Sequence, residues 1–312
     1  MSKIALQMDP IVSIDIEADT TFALALEAFK RGHELFYYNP LNLSFHNGKI
    51  TTKGQKIINL QKVKNKHVSL DKQITIDLSL QDIILLRQDP PFDMSYITNT
   101  HILENLHPNT FVVNNPTEVR NAPEKILVNK YKKFIPETLI TRNIDEIIKF
   151  KNNFKEIIIK PLYGNGGKQI FHITENDPNL FSHLEMFFEL SKEPIIIQQY
   201  LPEVRQGDTR IVLINGEVVG AINRIPPKGQ ARSNLHVGGK AEKKTLTKKE
   251  LEICEELKPE LIKKELILVG LDIIGNYLTE INVTSPTGIQ EISKFNNINV
   301  SGLFWDKLEK II

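Results

Sequence analysis

The chain has 312 residues, with 39 Lys and Arg against 38 Asp and Glu, and 41% of its residues are apolar. The resulting net charge of +1 argues against nucleic acid as the main partner, since neutralising phosphates needs a basic surplus. One cysteine, Cys254, excludes an intrachain disulfide and any paired-cysteine metal or redox site, and the longest apolar run, residues 266–271, is far too short to span a membrane. Polar residues follow the apolar start at residues 3–9 too soon for a secretory signal. These features predict a soluble cytoplasmic protein of one large domain or two to three smaller ones, with no membrane partner.

The first hundred residues alternate strand and helix signals. Residues 4–8 read as a strand stopped at Asp9-Pro10. Residues 20–31 follow as an amphipathic helix with Phe22, Leu26 and Phe29 on one face, Asp19 as its cap and Gly32 at its end. A strand over 34–38 completes a βαβ unit, which implies a parallel sheet. Asn47-Gly48 marks a hairpin, residues 83–86 and 111–113 are buried strands, and a helix is expected near 95–106. The N-terminal α/β unit ends near Asn121.

Beyond residue 122 the pattern changes to antiparallel hairpins mixed with helices, giving a mixed α/β and α+β chain. Strands are expected over 156–160, 169–173, 195–199, 210–214, 218–224, 269–274 and 278–283, with a turn at Asn215-Gly216. Residues 225–241, with Pro226-Pro227 and several glycines, read as a mobile loop. Residues 248–266 read as a helix burying Leu251, Cys254, Leu257 and Leu261, kinked at Pro259.

Three groups of residues carry chemistry. Lys160-Pro-Leu-Tyr-Gly164-Asn-Gly166-Gly167 fits neither a Walker A loop nor a dinucleotide fingerprint. It is either a flexible hairpin turn or a loop that lays backbone N–H groups over phosphates, with Lys160 adding a point charge. In Asp272-Ile-Ile-Gly-Asn-Tyr-Leu-Thr-Glu280-Ile-Asn282, a three-residue turn would set Asp272 opposite Glu280, and Asn282 shares the face of Glu280. Two carboxylates and an amide oxygen without His or Cys suit Mg2+, unless the face is simply solvated. The loop cations Arg210, Arg224 and Arg232, with Asn234, suit carboxylates and phosphoryl groups as a set, although each alone reads as surface. Arg87 breaks an apolar strand before Asp89-Pro90-Pro91, where an open α/β sheet binds ligands. The eight histidines show no metal spacing, and Cys254 reads as core.

Taken together the chain resembles the ATP-grasp ligases and, within them, the bacterial glutathione synthetases, over nearly its whole length. The resemblance rests on Met8-Asp-Pro10, Arg87-Gln-Asp-Pro-Pro-Phe-Asp93, Pro136-Glu-Thr-Leu-Ile-Thr-Arg142, the Lys160–Gly167 stretch, Gly270-Leu-Asp-Ile-Ile-Gly275 and Thr279-Glu-Ile-Asn-Val-Thr-Ser-Pro-Thr287. It implies an N-terminal parallel α/β (pre-ATP-grasp) domain over 1–122 and an ATP-grasp domain over 123–312, with a lid subdomain about 125–198 and a mobile loop over 225–241. It further implies that Lys125 and Lys160 hold ATP phosphates, Gly164, Gly166 and Gly167 close over them, and Gln198, Gln199, Tyr200 and Leu201 form the adenine hinge through backbone groups beside Asp208. Asp272, Glu280 and Asn282 would bind Mg2+ or Mn2+, and Arg210 and Arg224 would face the transferring phosphoryl group. Arg87, Arg232, Asn234, Ser285 and Thr287 would line the peptide and glycine sites. Glu17-Ala18 departs from the basic pair that family members often carry there, and Lys228-Gly-Gln230 and His236-Val237 depart from the usual loop.

The reaction so implied joins γ-glutamylcysteine to glycine through an acyl phosphate, releasing ADP and phosphate, in a homotetramer. The alternatives are another ATP-grasp carboxylate–amine ligase, of the D-alanine:D-alanine or amino-acid-adding kind, and a non-catalytic ATP-binding regulatory protein.

Overall fold

The computed structural model describes residues 1–228, 233 and 238–312. Its first sheet holds β1 (Lys3–Gln7), β2 (Glu34–His46), β3 (Lys49–Leu60), β4 (Val68–Asp77), β5 (Ile83–Leu86) and β6 (Phe111–Val113) in the order β4-β3-β2-β1-β5-β6. β1 pairs in parallel with β2 and β5, as the βαβ pattern requires, whereas β2, β3 and β4 form an antiparallel meander. The hairpin turns at Asn47 and Gly48, both at positive φ. β4 escapes the sequence reading because its burial pattern is mostly exposed, so no apolar alternation marks it.

Helix α1 (Thr20–Lys30) starts where the Asp19 carboxylate accepts the Phe22 N–H at 2.6 Å. Helix α2 (Met94–Leu103) is capped in the same way by Asp93 and ends earlier than expected. Two short helices follow, α3 (Pro116–Asn121) and α4 (Glu124–Leu127).

The second sheet, with strand order β7-β10-β8-β9, contains β7 (Thr138–Thr141), β8 (Ile157–Pro161), β9 (Phe171–Ile173) and β10 (Ile195–Gln199). Its pairs are antiparallel. Helices α5 (Ile144–Phe154) and α6 (Leu180–Leu190) cover one face, and Ile147, Ile157, Ile159, Leu184, Phe187 and Ile197 make a small core of its own.

The third sheet is β13-β12-β11-β14-β15, built from β11 (Asp208–Ile214), β12 (Glu217–Ile225), β13 (Lys240–Lys243), β14 (Leu268–Ile274) and β15 (Tyr277–Asn282). Ile225 pairs with Lys240 and Arg224 with Ala241, so both margins of the expected loop are strand. Helix α7 (Lys248–Lys263) begins at a capping box of Thr247 and Glu250 and continues through Pro259. Its buried face is Glu250, Ile253, Cys254, Leu257 and Leu261, with Leu251 exposed instead, because the 3.6-residue period passes through 250, 253, 254, 257 and 261. Burial lifts the Cys254 thiol to about 12, an inert core group.

Helices α8 (Ile289–Asn296) and α9 (Val300–Leu308) bring Ile292, Phe304 and Trp305 into one core with Leu6, Phe22 and Leu85 of the first sheet and its α1, and with Val212 and Ile222 of the third. The fully buried Trp305 donates its indole N–H to the Leu24 carbonyl at 2.8 Å. First and third sheets therefore share a core, while the second keeps a separate one. No helix among the described residues is long and apolar enough to cross a membrane.

Candidate active site

A cleft of about 880 Å³, measured out to its open mouth, lies between the second and third sheets. Side-chain alternation builds its upper wall. Ile157 and Ile159 of β8 face the small core, which turns Ile158 and Lys160 to the cleft. On β10 the same alternation buries Ile195 and Ile197 and turns Gln198 the other way, with Gln199, Tyr200 and Leu201 completing the wall.

The glycine loop joins β8 to β9 across the mouth, between antiparallel strands as expected. Gly166 and Gly167 sit at φ +61° and +75°, where a side chain is strained, and a Cβ on Gly164 would stand 2.3 Å from the Pro161 Cγ. The loop is also held from below, because Lys125 donates to the Gly164 carbonyl.

Strand register builds the floor. Asp208 pairs with Arg224 across β11 and β12, Arg210 with Asp272 across β11 and β14, and Asp272 with Glu280 across β14 and β15. A three-residue turn predicts the last of these pairings. The structure reaches it instead with a tighter turn at Gly275 and Asn276 plus a register shift between Asp272 and Ile273, where Thr279 is the extra residue.

Arg210 grips Asp272 with both Nε and Nη2, at 2.6 and 3.0 Å, and donates Nη1 to the Thr287 carbonyl at 3.1 Å. Arg224 bridges Asp208 and Asp272 at 2.5 and 2.8 Å. Lys125 pairs with Glu280 at 2.8 Å. Asn282 turns Nδ2 toward Gly270 O and Asp272 Oδ2 at 3.3 and 3.4 Å, leaving Oδ1 as the atom its amide can offer a cation.

Burial pushes Asp272 up, but Arg210 and Arg224 together outweigh it and hold this carboxyl below the usual range. Asp208 moves the other way, to about 6, because burial and the neighbouring Asp272 charge exceed the pull of its arginine partner. Burial lowers Lys160 to about 8. Burial also opposes charge on Lys125, yet Glu280 beside it raises that lysine overall. Among the described residues Lys160 meets the Gln198 amide rather than a carboxylate, so a phosphate there would stabilise its charge.

No three His, Cys, Asp or Glu side chains among the described residues gather into a metal-holding group. Asp272, Glu280 and the Asn282 amide oxygen still form a hard-oxygen set on one face, which fits Mg2+, an ion held by one or two carboxylates plus substrate phosphates.

Lys125, Lys160, Gly164, Gly166, Gly167, Gln198, Gln199, Tyr200, Leu201, Asp208, Asp272 and Glu280 all line this cleft. Arg210 and Arg224 are brought to it but stand behind it, their guanidiniums closed on carboxylates. Arg87 and Ser285 meet at the edge of the first sheet, whereas Thr287 meets Arg210 through its carbonyl. At that edge Arg87 donates to Thr21 Oγ1 and the Pro286 carbonyl at 3.1 and 3.0 Å, and Ser285 donates to Asp89 at 2.8 Å. Arg232 and Asn234 lie outside the described residues, as do most of residues 229–237.

Three residues at the site carry no sequence signal of their own. Ser233 donates to Asp208 Oδ2 at 2.9 Å. Glu124 Oε1 accepts from Val283 N, Thr284 N and Thr284 Oγ1 at 2.9, 3.1 and 2.8 Å, tying α4 and its Lys125 to the segment after Asn282. Thr138 reaches the Gln198 amide from β7. Position offers a hint for each, since Glu124 directly precedes Lys125, Ser233 stands between Arg232 and Asn234, and Thr138 lies within the Pro136–Arg142 stretch.

Comparison with known proteins gives the family. A family model described as "Prokaryotic glutathione synthetase, N-terminal domain" matches residues 2–120, and one described as "Prokaryotic glutathione synthetase, ATP-grasp domain" matches 124–297. The chain is 54% identical over 307 residues to a glutathione synthetase of Brucella melitensis, covering 98% of both chains. It is 51% identical over 310 residues to one of Agrobacterium fabrum, covering 99% of this chain and 97% of the other. Among solved structures, D-cycloserine synthetase DcsG superposes with a TM-score of 0.69 at 13% identity, covering 98% of this chain and 99% of that one, which shows a shared fold. With both family models matched in order and full-length relatives above half identity, the chain belongs to the prokaryotic glutathione synthetase family.

Proposed function

We propose that the protein is an ADP-forming ligase that joins γ-glutamylcysteine to glycine at the expense of ATP. The observation that carries the reading is the cleft itself, where Lys125, Lys160 and the glycine loop meet the Asp272–Glu280 pair within a chain of this family.

A carboxylate and an amine do not condense at neutral pH unless the carboxylate is activated. The peptide's C-terminal carboxylate attacks the γ-phosphate, giving an acyl phosphate and ADP. The glycine amine then displaces phosphate through a tetrahedral intermediate. No protein nucleophile is required, so the chain's task is positioning and charge neutralisation. Lys125 and Lys160 hold phosphate oxygens, the N–H groups of Gly164, Gly166 and Gly167 cover them, and residues 198–201 seat the base beside Asp208. Asp272, Glu280 and Asn282 would hold Mg2+, which when bound neutralises phosphate charge as the phosphoryl group moves. Arg210 and Arg224 keep Asp272 ionised and bring positive charge to the side where negative charge develops. Arg87, Ser285 and Thr287 serve the peptide and glycine sites, a role also assigned to Arg232 and Asn234, which lie outside the described residues, and the segment between β12 and β13 is assigned the shielding of the acyl phosphate from water.

Family membership extends the reading to a cytoplasmic homotetramer. The two family models, which meet between residues 120 and 124, support a division into domains 1–122 and 123–312.

The test is ADP release by purified protein with ATP, Mg2+ and γ-glutamylcysteine, with and without glycine. Release that needs both substrates, with a product of glutathione mass, is the expected result. Release indifferent to glycine overturns the substrate assignment.

A further inference from the structure

Behind the cleft wall runs a chain of hydrogen bonds whose direction can be worked out. Thr138 Oγ1 donates to the Pro136 carbonyl at 2.8 Å. A hydroxyl has one hydrogen, so toward Gln198, 2.9 Å away and opposite it in the β7–β10 register, Thr138 can only accept. The Gln198 group facing Thr138 is therefore the NH2, and Oε1 turns to Lys160 Nζ at 3.1 Å and to the cleft. Gln198 and Lys160 are 6% and 9% exposed, so an amide turned the wrong way would leave buried polar groups unpaired. A carbonyl oxygen has two lone pairs and Lys160 takes one. The other is available to an N–H donor in the cleft.

We propose that Thr138 is a positioning residue for nucleotide selection: by fixing the Gln198 amide it presents Oε1 as an acceptor for the 6-amino group of adenine and sets it against the oxygen of a 6-oxo purine. This rests on the ATP-dependent reading above and adds how the base is chosen. What is inferred is the place of the determinant, one strand behind the cleft, since Thr138 does not line it.

The experiment compares binding of ATP and inosine triphosphate by calorimetry, using the full chain with Mg2+ and no peptide. The two nucleotides differ at the 6-substituent and the N1 hydrogen. The unaltered protein should prefer ATP, Thr138→Val should narrow that preference about tenfold, and Thr138→Ser should restore it. The carboxylate introduced by Gln198→Glu offers acceptors without needing an oriented amide, so adding Thr138→Val to that variant should leave the ratio where Gln198→Glu set it. Thr138→Ala serves if the valine variant fails to fold. An ATP-to-inosine-triphosphate ratio unchanged by Thr138→Val or Thr138→Ala overturns the inference, as does an equal change in the Gln198→Glu background. Absence of ATP binding by the unaltered protein overturns the ligase reading instead.

Discussion

Arg210→Met tests the floor of the cleft. Arg210 and Asp272 are 5% and 3% exposed, and with Arg224 and Asp208 they form a buried group of two cations and two anions. Methionine keeps much of the length but removes both bonds that Arg210 makes to Asp272, leaving that carboxylate with Arg224 and an uncompensated negative charge. Removing one partner of a buried ion pair costs about 3–5 kcal/mol, a large share of the roughly 5–15 kcal/mol that holds a domain together. The pH dependence supplies a second signature. In the unaltered protein the Asp272 carboxyl is held low, so its contribution to stability is present above the unfolded-state value and lost as pH falls through the folded one. The variant's Asp272 titrates higher, so its deficit should be greatest near neutrality and shrink as the carboxyl gains a proton. Urea unfolding followed by circular dichroism, in chelator at about pH 7.5 and about pH 5, reads both effects. Adding Asp272→Asn should recover part of the loss, because the stranded charge is gone. A deficit under about 1 kcal/mol, or one equal at the two pH values, would refute the account of a buried, mutually neutralising cluster.

Two further outcomes follow from the same site. Glu280→Gln should stay folded and lose Mg2+-dependent turnover about a hundredfold or more, since Glu280 faces Asp272 in register and pairs with Lys125 at 2.8 Å; near-normal Mg2+-dependent rates would sink the assignment of the metal ligands. Lys160, lowered to about 8 by burial, must be charged to hold phosphate, so above about pH 8 nucleotide binding should take up a proton and weaken by up to about tenfold per pH unit. Calorimetry in buffers of different ionisation enthalpy at about pH 8.5 checks this, and zero proton uptake contradicts it. The same depressed value costs folding stability below about pH 8 and is relieved as pH rises toward the unfolded-state value.

Much of the architecture is legible where local pattern and burial agree. The strand–helix–strand start, the Asp19 cap, the Asn47-Gly48 hairpin and the antiparallel sheets beyond residue 122 each rest on periodicity or turn chemistry within a few residues. Asp272 does face Glu280 as expected, but through a register shift beside a tighter turn rather than through the three-residue turn. Where a strand is exposed, as β4 is, or half-buried along its whole length, as β7 is, the apolar alternation that would reveal it is missing. The helix face at Leu251 is misread from sequence because one apolar residue sits off the true stripe and the buried Glu250 on it is disguised by its charge.

The amino-acid sequence by itself determined the chemical inventory and its local spacing: a lysine before a glycine loop, two carboxylates and an amide on one hairpin, and arginines on strands far from both along the chain. Only the tertiary structure decided the pairings. Whether Arg210 meets solvent or Asp272 and whether Gln198 turns its oxygen or its NH2 to the cleft depend on register between strands far apart in sequence, and whether Glu124 ties Lys125 to the segment after Asn282 depends on how α4 packs beside β15. Register is set by which faces are buried together, and burial is a property of the packed sheets that no local stretch contains.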